Sequence, residues 1–196
     1  MDDPRNADLT AKAKIRNAAL DLYAERGEDG ASMRAVAAAA GVTVSLVQHH
    51  FTTKDGLRSA VEQLIIDYHK AAIASAAAEG TPGEIAAARD EAVRQMLADH
   101  PSVVNYMRRV LLEPASGGGT MLARLTELSR TEVVGLREAG IASTRSSVAE
   151  QTVALMVRQV GELFLQPLVD SMWEQLGGED NASKPVLSVR AQPASE

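Results

Sequence analysis

Apolar residues recur along this chain at spacings of three and four, which is the pattern of helices with one buried face. The first stripe runs from about Thr10 to Arg26 and consists of Ile15, Ala18, Ala19, Leu22 and Tyr23. Alanine, the best helix former, accounts for 33 residues, whereas aromatic residues make up only 3%. Since strands favour aromatic and β-branched residues, pattern and composition together predict an all-α fold.

Glycine, proline and capping residues predict where the helices begin and end. Gly27 fits the C-cap of the first helix, while Ser32 and Thr43 fit the N-caps of two short helices, Met33–Ala40 and one that reaches about His50. The other predicted helices are a long fourth helix opened by Thr52 and Thr53 and ending near Gly80, a fifth from Pro82 to about His100, a sixth that Pro114 stops, a seventh over about Thr120–Glu138 after a loop at 116–119, and an eighth from about Arg145 to Leu176 that Pro167 should kink or split.

The eighth helix is apolar nearly all the way round. Its apolar residues include Val148, Val153, Leu155, Met156, Val157, Val160, Leu163, Phe164 and Leu165. Such a helix must be buried on more than one side, and the simplest partner for its second side is another copy of the chain. By contrast, the polar ends of the chain, residues 1–9 and 178–196, are predicted to be flexible tails.

Net charge argues at first against a nucleic-acid partner, because domains that bind phosphate backbones are usually basic. The 196 residues carry a formal net charge of −6. The first 60 residues, however, hold eight basic and eight acidic side chains, so the negative excess lies after residue 60. Cysteine is absent, which excludes disulfides and thiolate zinc sites. The sequence carries no recognisable targeting signal, and we expect a soluble cytoplasmic protein.

The segment from Met33 to His50 has the pattern of two short helices that cross at a tight turn. Ala37 and Gly41 supply small residues for the crossing. The residues expected to point inward are Val36, Ala40, Val42 and Val47, and those expected to point outward are Val44, Ser45, Gln48 and His49. In a helix-turn-helix, this outward face enters the major groove of DNA. Two short helices in an ordinary helical bundle would give the same local pattern.

A wider stretch, Lys12–Val61, resembles the N-terminal domain of the TetR family of transcriptional repressors. The resemblance rests on IRNAALDLYAERG in the first helix, on SMRAVAAAAGVTVSLVQHHF in the helix-turn-helix and on TTKDGL at the start of the fourth helix. It covers about a quarter of the chain, and the later helices match the family only in number and length.

The resemblance implies that residues of the helix-turn-helix contact DNA. The candidate contacts are Ser32, Arg34, Thr43, Val44, Ser45, Gln48, His49, His50 and Lys54, with phosphate contacts carried over onto Thr43, His49 and Lys54 and with His50 as either a strut or a phosphate donor. Phe51 is expected to lie in the core. The family usually has a tyrosine, commonly in contact with DNA, at the position of Gln48 and a glycine at that of Ser45, so its sequence specificity does not transfer to this chain.

The resemblance further implies two domains. Residues 10–70 would form the DNA-binding domain, with the helix-turn-helix at 33–52, and residues 71–177 a domain for effector binding and dimerisation. The last two helices of each subunit, about 120–139 and 145–176, would form a four-helix bundle. A two-fold dimer of this kind predicts a palindromic operator.

The resemblance also implies an effector pocket in the C-terminal domain. The candidate lining residues are Met96, His100, Tyr106, Met107, Met121, Met156, Gln159 and Phe164. Walls rich in methionine suit a small apolar or amphipathic effector. By tilting the fourth helix, such an effector would change the spacing of the recognition helices and release DNA, provided that it binds the released state better. No cofactor or metal is expected.

Two other functions stay open. An all-α enzyme of the di-iron type would need Glu-x-x-His pairs, and neither these nor other common catalytic motifs occur. A DNA-binding regulator without a small effector, acting constitutively or through a protein partner, is compatible with the sequence. A packed core among the later helices would favour this second alternative, whereas a cavity there would favour a ligand.

Overall fold

The computed structural model describes residues 10–77, 79–112, 119–177, 183–189 and 191. Across these residues the chain forms helices and no strand, which confirms the predicted all-α fold. The helices are α1 (Ala11–Gly30), α2 (Met33–Ala39), α3 (Val44–Phe51), α4 (Lys54–Ser75), α5 (Pro82–Asp99), α6 (Pro101–Leu112), α7 (Gly119–Glu138) and α8 (Val148–Gln175).

Short polar side chains cap the starts of α1, α2, α3 and α8. The side-chain oxygens of Thr10, Ser32 and Thr43 accept hydrogen bonds from backbone N–H groups three residues further on, at 3.1 to 3.3 Å. Ser147 forms a reciprocal pair with Glu150, in which each side chain accepts from the other residue's backbone N–H. Since the first backbone N–H groups of a helix have no partner within it, these caps fix the helix starts.

Several helix bounds differ from the predicted ones. Helical geometry breaks at Gly27, which has a φ of 74°, but α1 resumes and ends at Gly30. α4 ends at Ser75, one turn after its last buried residue, Ala72, rather than near Gly80. Pro167 lies inside α8 and does not split it, because a proline removes only one backbone N–H from a helix of 28 residues. The predicted stop at Pro114 and most of the predicted 116–119 loop lie outside the described residues.

The chain divides into two compact units. The first unit comprises the described residues up to Ala74 together with 95–121, and therefore holds α1, α2, α3, nearly all of α4, and α6. Its largest fully buried side chains are Ile15, Tyr23, Val36, Val47, Leu57, Val61, Ile65, Val103, Tyr106 and Met121. The functional boundary near residue 70 stays a prediction.

The second unit contains residues 75–94 and the described residues after 121. Ile85, Val93, Leu125 and Val133 are buried in it, and Arg158 forms a 2.7 Å ion pair with Asp90. Arg89 of α5 also pairs with Glu132 of α7. These contacts tie the N-terminal part of α5 to α7 and α8.

The C-terminal segment predicted as a flexible tail is described in part. Residues 183–189 form neither helix nor strand, but they contact α8 instead of standing apart from it. The other residues of this tail, apart from 191, and the whole N-terminal tail lie outside the described residues.

Candidate nucleic-acid interface

The turn between α2 and α3 brings the two short helices together. The N–H of Gly41 donates to the Ala38 carbonyl at 3.2 Å, and the N–H of Val42 donates to the Ala37 carbonyl at 3.0 Å. Gly41 has a φ of 67°, and a Cβ atom there would meet nothing within 4 Å. Glycine is therefore needed for this backbone conformation, rather than for the close helix crossing that the sequence reasoning gave as its role.

The inner side of this motif is apolar. Val36, Ala37 and Val47 are buried, and Phe51 at the end of α3 is buried as predicted. Ala40 and Val42, also expected to point inward, are half-buried. The packed inner side fixes which face of α3 is left for a partner.

The outer face of α3 is polar. Ser45, Gln48 and His49 are exposed, and Val44 and His50 are half-exposed. The other candidate contacts surround this face: Ser32, Arg34 and Thr43 are exposed, and Lys54 is half-exposed at the start of α4. The structure thus leaves all nine candidates accessible to some degree. Their contacts with DNA stay predictions.

A tight junction places Lys54 directly after the recognition helix. Thr52 has a positive φ of 54°, which is unusual for a residue with a side chain. The Thr53 hydroxyl then accepts the N–H of Gly56 at 3.0 Å and caps α4. A Cβ atom at Gly56 would overlap the carbonyl oxygen of Phe51. Gly56 is therefore a positioning residue that the sequence reasoning missed, although its motif, TTKDGL, was recognised.

A further cation lies close to this junction. The Lys12 ammonium is 5.8 Å from the centre of the Phe51 ring, which is within range of a cation–π contact. Lys12 is exposed in the first turns of α1 and was not among the predicted contacts. No pattern in the sequence could have found it, because its position depends on the packing of α1 against α3.

Polar contacts join α6 to α1 within the first unit. The Ser102 hydroxyl donates to the Asp21 carboxylate at 2.6 Å, and the Tyr106 hydroxyl donates to the Glu28 carboxylate at 2.8 Å. Arg109 donates to the carbonyl of Ala24 at 3.0 Å. α6 lies within residues 71–177, the predicted effector domain. It is therefore attached to α1, the first helix of the predicted DNA-binding domain.

Glu28 links three helices. Besides accepting from Tyr106 of α6, it lies 3.6 Å from the Arg58 guanidinium of α4. The Tyr106 ring stacks on Tyr23 with 6.1 Å between ring centres. Burial, together with the hydrogen bond to Glu28, raises the pKa of Tyr106 above its ordinary value, and burial raises the pKa of Tyr23 to about 12. Both phenols therefore stay neutral in the physiological range.

The effector candidates fall in different units. Met96, His100, Tyr106, Met107 and Met121 belong to the first unit, and Met156, Gln159 and Phe164 belong to the second. Tyr106, Met107 and Met121 are at most 2% exposed, while the other five are half-buried. Gln159 is engaged with Asp90, to which its side-chain amide donates at 3.2 Å. Their shared role as an effector site stays a prediction.

A small cleft opens in the first unit at the end of α1. Its volume is about 150 Å³, and Tyr23, Glu28, Tyr106 and Arg109 are among the residues that line it. Tyr106 is the one effector candidate that borders this cleft. Among the described residues, no group of three or more histidine or carboxylate side chains could hold a metal ion. None of the described helices is both long and apolar enough to span a membrane.

The packed inner side, the tight turn and the polar outer face of α3 define a DNA-binding protein of the helix-turn-helix class. Residues 15–61 match the family of bacterial regulatory proteins called the tetR family. The N-terminal part of the chain is therefore a DNA-binding domain of the TetR type, and the family that it matches is one of transcriptional regulators. The predicted resemblance is thereby confirmed.

Two relatives show how the similarity is distributed along the chain. The transcriptional regulatory protein RaaS of Mycobacterium tuberculosis is 42% identical over 78 residues, which are 40% of this chain and 36% of RaaS. The chain thus matches about a third of the length of that relative. The transcriptional repressor KstR2 of Rhodococcus jostii is 26% identical over 96% of this chain and 95% of its own length.

A solved structure supports the fold over most of the chain. The crystal structure of a transcriptional regulator from Rhodococcus sp. Rha1 superposes with a TM-score of 0.65. The match covers 84% of this chain and 87% of that protein at 22% sequence identity. At this identity the likeness concerns the fold, including the helices beyond the DNA-binding domain.

Proposed function

We propose that this regulator is a repressor that binds a palindromic DNA operator as a homodimer in the cytoplasm and is released by a small apolar or amphipathic effector. The observation that carries the DNA-binding part is the outer face of α3, where Ser45, Gln48 and His49 are exposed above a buried apolar inner side. Hydrogen-bonding side chains on such a face can reach base edges in the major groove.

Within this face, Gln48 is the principal reader of sequence. A glutamine amide can donate to and accept from an adenine edge at the same time, whereas the tyrosine usual at this position in the family carries one hydroxyl. Thr43 and the free N–H groups at the start of α3 hold a phosphate on one side, and Lys54 holds one on the other. The operator of this chain should therefore differ from those read through the family's usual tyrosine.

Selection of bound fragments from a random DNA pool, followed by binding measurements on the selected site, tests this proposal. Gln48→Ala should weaken binding by about 1–3 kcal/mol and relax the preference at one base position in each half-site. Lys54→Ala should weaken binding equally for all sequences and reduce the salt dependence by about one ion. Lys70→Ala, which removes an exposed lysine of α4 away from the motif, is the matched control.

If neither Gln48→Ala nor Lys54→Ala changes binding to the selected site, the contact assignment is wrong. If the selected site carries no inverted repeat, the dimeric arrangement on DNA is wrong.

The homodimer part of the proposal is supported by α8. Val153, Val157, Leu165, Leu168 and Met172 of this helix and Leu176 at its C-cap are 37% to 82% exposed. An apolar surface of this extent on a soluble protein marks a protein interface. A second copy of α8 is the partner that the sequence itself suggests, because the same stripe is then buried on both sides.

The effector part is supported by the connection between helices. Because Glu28 contacts both Tyr106 and Arg58, we expect a movement of α6 to reach α1 and α4 through it. An effector that displaces α6 would therefore act on the DNA-binding helices without touching them. A screen of small apolar and amphipathic compounds for loss of operator binding tests this part; release requires preferential binding to the displaced state.

A second candidate is a regulator without a small effector. The observation in its favour is the packing around Tyr106, Met107 and Met121, which leaves these three candidates almost no accessible surface. Calorimetry with each compound that the screen returns separates the two functions, because a regulator without an effector site would bind none of them stoichiometrically.

A further inference from the structure

The exposed apolar stripe of α8 has a gap near its middle. Val153 and Val157 are four residues apart, but the next exposed apolar residue, Leu165, follows only after eight. Gly161 occupies the missing position, at four residues from each neighbour. Because side chains four residues apart lie above one another on a helix, Gly161 forms a notch within the stripe.

A residue from the C-terminal segment fills this notch. A Cβ atom built on Gly161 would lie 2.9 Å from Cγ2 of Val189, 3.1 Å from its Cβ and 3.2 Å from its Cγ1. Real Cβ atoms essentially never lie within 3.0 Å of another heavy atom, so a side chain at residue 161 would push Val189 out of this position. Val189 thus covers the centre of the surface that we assign to the dimer.

Polar contacts hold the rest of this segment on α8. The backbone N–H of Leu187 donates to the Gln166 side-chain oxygen at 2.7 Å, and the Gln166 amide donates to the Pro185 carbonyl at 3.3 Å. The Lys184 ammonium lies 3.0 Å from the Asp170 carboxylate. Residues 183–189, here called the C-terminal strap, therefore run antiparallel to α8 from Asp170 towards Gly161.

We propose that the C-terminal strap is a built-in competitor of dimerisation, which occupies on α8 the place of a second copy of this chain. The inference rests on the proposed homodimer. The axes of two packed helices lie about 8–10 Å apart. A chain segment seated in the notch at Gly161 keeps the α8 of a partner from approaching, so the strap must leave before the dimer closes.

The contacts that hold the strap on α8 are weak enough for it to be displaced. Its ion pair, Lys184–Asp170, is at the surface, where such pairs stabilise little. Two straps must open for each dimer, so the apparent dissociation constant varies with the inverse square of the open fraction. A strap closed about nine-tenths of the time would weaken dimerisation about 100-fold.

The test measures the dimer dissociation constant by sedimentation velocity over a range of concentrations. Three altered forms are compared with the unaltered chain: a chain shortened to end at residue 182, and the full-length variants Val189→Asp and Val186→Asp, the second of which is the matched control. Val186 belongs to the same strap but is 83% exposed, so the same charge there should leave the strap seated. Circular dichroism establishes that each form keeps its helix content.

The proposal expects the truncation and Val189→Asp to tighten the dimer about 10-fold to 100-fold and Val186→Asp to leave it unchanged. Operator binding at low protein concentration should tighten in the same two forms. An unchanged dissociation constant after truncation overturns the strap's role but leaves the dimer standing. A weaker dimer after truncation also overturns it, because the strap would then be part of the interface. If every form is monomeric at all concentrations, the proposed homodimer itself fails.

Discussion

The two compact units differ in where they leave their apolar side chains. The first unit buries Ile15, Leu57 and Val103 completely and presents polar residues on the outer face of α3. In the second unit, Leu168 and Met172 of α8 are more than half exposed. Polar side chains on a helix suit base edges and phosphates, whereas exposed apolar side chains suit another protein surface. The difference is what we expect of a chain that meets DNA with one unit and its own copy with the other.

The polar contacts that hold the helices together within each unit do not account for this difference. The first unit is joined by hydrogen bonds such as Ser102–Asp21 and Tyr106–Glu28, and the second by the ion pairs Arg158–Asp90 and Arg89–Glu132. Both units therefore use polar contacts between helices that are distant in sequence. What separates them is the stripe along α8, which no described helix of the same unit covers.

The largest effect is expected from charges placed on that stripe. Leu168→Glu combined with Met172→Glu would bury two carboxylates in a dimer interface, so we expect the dimer dissociation constant to rise at least about 100-fold. The matched control is Leu112→Glu, which charges an exposed leucine at the end of α6. Sedimentation equilibrium provides the measurement. An unchanged dimer would mean that the apolar excess of the second unit has another purpose.

The next largest effect is expected from replacing one glycine in each unit, because the two substitutions should change stability in opposite directions. Gly56→Ala forces a Cβ atom against the Phe51 carbonyl and should cost about 2 kcal/mol of stability and most of the operator binding. Gly135→Ala on α7 meets open space and should stabilise its helix by about 0.5–1 kcal/mol. The unfolding of each unit is followed separately by fluorescence, because Trp173 reports on the second unit and all three tyrosines lie in the first. If both substitutions changed the stability of their units in the same direction, the close packing at Gly56 would be contradicted.

These glycines also show how far the sequence could lead. Capping residues such as Ser32 and Thr43 act on the backbone three residues away, so their roles could be predicted from spacing alone. The requirement at Gly56 arises from the path of the chain through Thr52, whose positive φ no local pattern indicates. Likewise, the contact between Val189 and Gly161 joins residues that are 28 positions apart in the chain. Val189 lies in the segment predicted to be a flexible tail, so its contact with α8 could not be predicted from the sequence.

A smaller effect is expected from the link between α6 and the DNA-binding helices. Tyr106→Phe removes the hydroxyl that donates to Glu28 and should lower stability by about 1–2 kcal/mol, since the ring itself stays packed on Tyr23. Tyr68→Phe, on a half-buried ring beside His100, is the control. With an effector in hand, Tyr106→Phe should also reduce the shift in operator affinity that the effector causes. If that shift is unaltered, the signal does not pass through Glu28.

The smallest effect concerns the pH dependence of the first unit. His69 is 6% exposed, and its Nδ1 donates to the Ile65 carbonyl at 2.8 Å. Burial lowers the pKa of His69 below its ordinary value. The unfolded chain therefore takes up a proton first as the pH falls, so stability is full above about pH 6.5 and declines below it until the folded pKa is reached. His69→Gln should flatten this decline in the tyrosine-monitored unfolding of the first unit between pH 7.5 and 5.5, whereas His49→Gln, on an exposed side chain, should leave it in place. A decline of the same size in both variants would show that the first unit owes its acid sensitivity to other groups.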